Sequence, residues 1–363
     1  MPEPEPINVA DYERLAAERL DPGVLGYFAG GAGDERTLRD NVAAFARRRL
    51  RPRVLVDVSE VSTQTTVLGT EISMPVLVAP VAFQRLVDPD GEVAMARAAA
   101  AADTIMCLST IATSRPREIA AEAPPSPRWF QLYCFKDRGV TRALIDEAVE
   151  CGFDAIALTV DAPRAGRRER DFRTTFVVPE GIHSPAVAAA VGSERALSVQ
   201  EVFALVDPSL TWDDFEALAS ECALPVLLKG VQTAEDARLA VEHGAAGVIV
   251  SNHGGRQLDT VAASLDILPE VAEAVEGRCE VLVDGGIRRG TDVVTALALG
   301  ARAVLVGRAP LWGLAVGGEA GAARVLQILR EEVELALTLL GCPSPAAVRP
   351  EHVGTGPIFG LDG

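Results

Sequence analysis

The stretch SNHGGRQLD, residues 251–259, ends an apolar β-branched run and places His253 and Arg256 on either side of Gly254 and Gly255. A turn needs the glycines. It needs neither a base that titrates near neutral pH nor an arginine fork that grips a carboxylate in two places. The pair suits removal of a proton from a carbon or hydroxyl next to a carboxylate. The two glycines leave room for a planar group against the backbone. Asp161, which closes the run AIALTVD, is a candidate to orient the imidazole and stabilise its protonated form. The other three histidines, 183, 243 and 352, lack such company and read as structural or exposed.

Lys229 is the second chemical signal. The chain has two lysines against thirty-two arginines, and this one ends the apolar run PVLLKG. A lysine there must be paired or deprotonated. It could be a Schiff-base nucleophile, or it could hold negative charge on a cofactor ring, and residue chemistry leaves both open. The third signal is VDGGIRRG (283–290) with VGRA (306–309). Glycines there let backbone N–H groups approach an anion, and Arg288 and Arg308 add charge-assisted bonds, the pattern of a phosphate site.

These residues need a scaffold that gathers them. Short apolar runs recur at 75–80, 104–110, 128–133, 155–161, 225–230, 247–252, 280–286 and 303–308. Amphipathic segments such as TAEDARLAVEHG separate them, starting at Thr or Asp and ending at Gly as helix capping requires. Near-continuous apolar strands alternating with helices imply a parallel sheet covered on both faces. The spacing predicts a (β/α)8 TIM barrel over 75–341, in which the active site forms at the C-terminal ends of the strands. Polar residues collect at that end: Ser109, Gln131, Tyr133, Thr159, Asp161, Lys229, Ser251, His253, Asp284 and Arg308. An open doubly wound sheet would call for GxGxxG after the first strand, and none is present. Residues 1–70 form a helical and irregular N-terminal extension. Residues 170–210 show no strong period and read as a lid-like insertion after strand 4. The whole chain, 1–363, reads as a single domain.

A net charge of −17 and a pI near 4.8 argue against nucleic acid and anionic membranes. A small anionic substrate fits if cations are concentrated at one site. The six cysteines show no CxxC and no Cys/His cluster, so they read as buried thiols in a reducing compartment with no metal. The start, MPEPEPINVADYERLAAERL, is polar and acidic rather than a leader. The last residues, FGLDG, carry no peroxisomal address. No run approaches the roughly 20 apolar residues of a membrane span. A cytoplasmic protein is expected.

SNHGGRQLD resembles the signature of the FMN-dependent 2-hydroxy-acid oxidases and dehydrogenases, and the resemblance covers almost the whole chain. It includes YFAGGAGDE (27–35), RPRVLVDVS (51–59), APVAFQRLVDPDGE (79–92), QLYCFKDR (131–138), LTVDAPRAGRRERD (158–171), LLKGV (227–231) and VDGGIRRGTD (283–292). The resemblance implies FMN, with its phosphate held by Gly286, Arg288, Gly307 and Arg308, and its ribityl chain contacted by Asp284. Ser109, Gln131 and Thr159 would be the polar contacts to the isoalloxazine, with the backbone of Ala79, Pro80, Val81 and Ala82 beside N5, and Ser251 would be a further cofactor-binding residue. Lys229 would stand near N1 and hold negative charge on the ring, which replaces the Schiff-base reading. His253 would be the catalytic base and Asp161 its carboxylate partner. Arg168 and Arg256 would clamp the substrate carboxylate with help from Tyr27, and Tyr133 would hydrogen-bond the substrate oxygen. Ala309 departs from the family's more frequent GRP but leaves the phosphate donors intact.

Glycolate-specific relatives tend to carry tryptophan where this chain has Ile111. With Ala82 at the flavin face, the smaller side chain leaves room for a ring, so an aromatic (S)-2-hydroxy acid such as mandelate or 4-hydroxymandelate is expected. No haem domain and no apolar anchor in the insertion are visible, so O2 is the expected oxidant, giving the 2-oxo acid and H2O2. The family is commonly tetrameric, which implies a homo-tetramer here.

Overall fold

The computed structural model describes residues 5–355; the FGLDG segment lies outside the described residues. Eight strands close a parallel barrel: β1 (Val76–Val78), β2 (Met106–Ser109), β3 (Arg128–Leu132), β4 (Ala155–Thr159), β5 (Val226–Val231), β6 (Gly247–Val250), β7 (Glu280–Asp284) and β8 (Ala303–Val306). Each falls in the apolar run that predicted it, β5 reaching one residue past its run. β8 pairs with β1 and β7 with β6, so no strand of the barrel has a free edge.

Side chains along a strand alternate between the barrel interior and the helix layer. The interior cluster holds Cys107, Trp129, Ala157, Leu227, Ile249, Leu282 and Leu305. Two residues further on, the same inward face presents Ser109, Gln131, Thr159, Lys229, Ser251, Asp284 and Gly307. A dry lower layer therefore lies beneath a polar upper layer, displaced by one inward step on each strand. The antiparallel hairpin 65–67/70–72 adds Val67 and Ile72 to the dry cluster. Burying each such large apolar side chain contributes about 1.5–3 kcal/mol.

The N-terminal extension is more regular than its sequence indicates. It forms α1 (Val9–Arg19), α2 (Pro22–Ala29) and α3 (Arg36–Ala46), followed by a short strand, Arg48–Leu50, that pairs antiparallel with Val353–Thr355. Helix α3 is capped from a distance. Glu35 at its N-cap is left-handed (φ 60°) and gives no side-chain cap bond, while Asp259 accepts a bond from the Thr37 N–H at 2.9 Å. Asn41 on the same helix exchanges two amide hydrogen bonds with Asn252, both 2.8 Å. Gly255 is left-handed (φ +76°), and a Cβ there would meet the Leu38 backbone N at 2.6 Å. Gly255 thus serves the approach of α3, while Gly254 lines the cavity at the barrel mouth.

The insertion is also ordered into elements where no period was legible: α4 (Glu169–Arg173), α5 (Pro185–Ala190) and α6 (Val199–Leu205). Each is shorter than the window over which helical periodicity becomes visible. Ser198 and Glu201 form a capping box at α6. All six cysteines are free; Cys107, Cys134 and Cys342 are buried, but Cys151, Cys222 and Cys279 are only half-buried, correcting the expectation of burial throughout. Among the described residues no helix is long and apolar enough to cross a membrane.

Candidate active site

The C-terminal ends of the strands open into one cavity, and every candidate residue except Asp161 and Ser251 lines it. Those two sit one layer back. Asp161 holds the base: its Oδ1 lies 3.0 Å from His253 Nδ1, joining residues 92 apart in sequence. Ser251 is fully buried, and its hydroxyl accepts bonds from Lys229 Nζ at 2.8 Å and from the His253 N–H at 3.0 Å.

The base is held in an unusual backbone state. His253 is left-handed (φ 58°), and Gly254 and Gly255 follow at +64° and +76°. A left-handed non-glycine residue persists only where its surroundings determine it; here the determinants are the Ser251 hydroxyl, the Asn252–Asn41 pair and Asp161. Gly230 makes room for Asp161. The register of β5 against β6 shifts between Lys229 and Val231, and a Cβ at Gly230 would lie 2.6 Å from the Asp161 Cβ. Burial alone would raise the Asp161 carboxyl, but His253 and then Lys229 outweigh it and hold it below the usual carboxylate range.

That shift has a sign. With its folded pKa below its unfolded value of about 3.9, Asp161 contributes stability that is fully present above about pH 4 and lost as pH falls through the folded value. Urea midpoints taken from pH 6 down to pH 3 (approximate settings spanning the carboxylate range) should fall more steeply for the native chain than for Asp161→Asn. Parallel curves would show that the pair does not stabilise the fold.

Lys229 is buried and forms an ion pair with Asp284 at 2.7 Å. Burial opposes its charge, yet Asp284 and Asp161 raise its pKa above the ordinary lysine value. It therefore stays a cation, as charge compensation requires and a Schiff-base nucleophile does not. On the neighbouring strands, Gln131 donates to Thr159 Oγ1 at 2.9 Å and accepts from Ser109 Oγ at 3.2 Å.

Arginines supply the remaining charge. Arg256 donates to the carbonyls of Tyr27 (2.6 Å) and Gly30 (3.0 Å), and it sits 5.2 Å over the Tyr27 ring. Arg168 reaches the same ring at 5.8 Å. Burial, with Arg168 close by, pushes Arg256 down to about 9. Burial, with Arg288 close by, pushes Arg308 down to about 10. A guanidinium stays charged at neutral pH, so burial and neighbouring like charges leave both as concentrated positive charge at the cavity. Burial also raises the Tyr133 hydroxyl, which stays protonated and able to donate.

Gly285 and Gly286 are left-handed (φ +98° and +82°), and Asp284 Oδ1 is buried with no partner. Gly285, Gly286 and Arg288 line the same cavity. The glycine turns, the orphaned carboxylate oxygen of the cavity-lining Asp284 and the buried lysine fit a phosphorylated cofactor with a chargeable ring. Arg308 departs from the simple cradle: its guanidinium donates to the carbonyls of Phe28 (2.9 Å), Gly254 (3.1 Å) and Gly30 (3.1 Å). Phe28 and Phe203 line the cavity without having been singled out in the sequence. Phe28 adjoins Tyr27, which was a usable signal. Phe203 comes from α6, with its ring 5.7 Å from that of Tyr133, and nothing local announces it.

A barrel mouth with a histidine–aspartate pair, clustered arginines and a cofactor cradle defines an oxidoreductase of the flavin-barrel class. Residues 16–355 match the FMN-dependent dehydrogenase family, and the chain belongs to it. It is 51% identical to an L-lactate oxidase of Nostoc sp. over 93% of this chain and 95% of that protein. It is 50% identical to glycolate oxidase 3 of Arabidopsis thaliana, over 96% of each. Among solved structures, a mandelate oxidase variant with (S)-mandelic acid superposes with a TM-score of 0.89 at 41% identity, covering 97% of this chain and 98% of that one. The protein is an FMN-dependent enzyme of 2-hydroxy-acid oxidation.

Proposed function

We propose that the protein oxidises an aromatic (S)-2-hydroxy acid, mandelate or 4-hydroxymandelate, to the 2-oxo acid, with O2 reduced to H2O2. The observation that carries the substrate class is the cavity wall: the modest side chains of Ile111 and Ala82 line it, and Phe203 packs beside Tyr133 with ring centroids 5.7 Å apart. An aromatic ring packs edge-on or offset against such rings. Arg168 and Arg256 bind the carboxylate, which relieves their uncompensated charge. Tyr133 donates to the substrate oxygen, and His253 takes the proton while Asp161 steadies the imidazolium. Bound FMN supplies the two-electron acceptor; Lys229, Asp284, Gly286, Arg288, Gly307 and Arg308 are the residues that hold it.

A small aliphatic acid is the second reading. It is favoured by the higher identity to the lactate and glycolate oxidases than to the mandelate oxidase. Initial rates of O2 uptake with (S)-mandelate, lactate and glycolate separate the two. Ile111→Trp should lower kcat/KM for mandelate relative to glycolate by about 10–200-fold, the range one pocket-wall change commands. A native preference for glycolate or lactate, with no differential effect of that substitution, would transfer the assignment to the small acid.

The same proposal takes residues 1–363 as one domain, supported by a family match that spans nearly the whole chain and by α2 contributing Tyr27 and Phe28 to the cavity. It takes the protein as cytoplasmic, supported by six free thiols. Assembly as a homo-tetramer is part of it, resting on the family alone and read by light scattering.

A further inference from the structure

Gln257 carries more interactions than any role above accounts for. Its Nε2 donates to the carbonyls of Asp161 at 3.0 Å and Arg164 at 2.8 Å, and its Oε1 accepts from the Gly166 N–H at 2.9 Å. One carboxamide thus joins three backbone groups of the loop after β4. That loop begins at Asp161, which holds His253, and leads to Arg168 at the cavity. The contact between the two loops is close enough to exclude a side chain: a Cβ on Gly166 would lie 2.3 Å from the Arg256 carbonyl oxygen and 2.6 Å from that of Gln257. The N-terminal segment leans on the same junction, with Ala32 N–H donating to Gly255 O at 2.8 Å and Gly33 N–H to Arg167 O at 3.0 Å.

We propose that Gln257 is a positioning residue for the oxidation, whose carboxamide fixes the 161–168 loop against the 253–257 loop so that the base and the carboxylate clamp share one register. Neither end of the loop achieves this alone. The His253–Asp161 bond sets only the start of the loop, and the Gly33 N–H bond to Arg167 O ties its far end to the N-terminal segment rather than to the 253–257 loop. Gln257 restrains the stretch between them. A misplacement of about 1 Å at either end can cost on the order of 100-fold in rate. The proposal rests on the roles given above to His253 and Arg168.

The test compares Gln257→Glu with the native FMN-loaded chain. Glutamate keeps the size and one acceptor of the amide but, ionised, has no proton for the Asp161 and Arg164 carbonyls. The expected result is a fall in kcat and a rise in KM together, each by about tenfold, which combined is the scale of the two lost hydrogen bonds, with flavin content unchanged. A coupling measurement distinguishes positioning from packing. On an Asp161→Asn background, the same substitution should lower kcat by a clearly smaller factor, because two residues acting through one base are non-additive. Strict additivity, or native kcat and KM in Gln257→Glu, overturns the proposal. If Gln257→Glu does not fold, Gln257→Asn, too short to span to Arg164, is measured in the same cycle, where non-additivity supports the proposal and additivity overturns it. Failure here is distinct from failure of the proposed mechanism: that would be shown by native activity in His253→Gln, whatever Gln257 does.

Discussion

His253→Gln lowers kcat/KM by about 10²–10⁴-fold, the usual contribution of a positioned general base, while the protein retains its flavin. Glutamine keeps a donor within reach of Asp161 Oδ1, which lies 3.0 Å from the native imidazole, so the carboxylate is not left bare. The imidazole is about one-fifth exposed, so little packing is lost. The expected result is therefore a large kinetic defect with only the small loss of stability that follows from exchanging the imidazole for a neutral partner of Asp161. Air-saturated turnover assays beside a visible absorption spectrum check it. Turnover within a few-fold of native would remove His253 as the base.

Lys229→Met is expected to destabilise the apoprotein by about 3–5 kcal/mol, the cost of leaving a buried charge without its partner. The charge in question is Asp284, side chain 9% exposed and 2.7 Å from Lys229 Nζ. Its second oxygen already lacks a partner. Replacing both, Lys229→Met with Asp284→Leu, should recover most of the loss, because an apolar pair of similar volume can substitute for a buried ion pair. Urea unfolding of the native chain, Lys229→Met, Asp284→Leu and the double variant after FMN removal measures the cycle. If the double variant is as unstable as the sum of the singles, the ion pair is not the origin of the effect. The sign with pH is also set. The folded pKa of Lys229 is raised, so its stabilisation is fully present below its unfolded value of about 10.4 and is lost only as pH rises through the folded one. Assays near neutrality should therefore show no pH dependence from this pair.

Both predictions concern residues that were legible in the sequence, and the reason is physical. Barrel strands must be apolar on both faces along their length, so a lysine, histidine or aspartate at a strand end stands out against a run that would otherwise exclude it. The eight apolar runs, the alternation with helices and the one-sided placement of Gln131, Thr159, Lys229, Asp284 and Arg308 are all local properties. They determined the fold class and which end of the barrel is chemical.

Tertiary structure decided what depends on contacts distant in sequence. Gly254 and Gly255 looked like space for a ligand; Gly255 in fact accommodates α3, whose Leu38 backbone no local pattern could place there. Asp259 looked like the close of a motif and is the cap of a helix more than two hundred residues earlier. Phe203 sits on a seven-residue helix in a segment without period, and only the folding-back of the insertion brings it to Tyr133. The sequence by itself determined the barrel, its polar rim and the identity of the charged groups, because strand periodicity and burial act within a few residues. Which side chains meet across the mouth, and what holds His253 in a left-handed turn, only the tertiary structure decided, because those forces act between loops that the chain brings together only after the barrel closes.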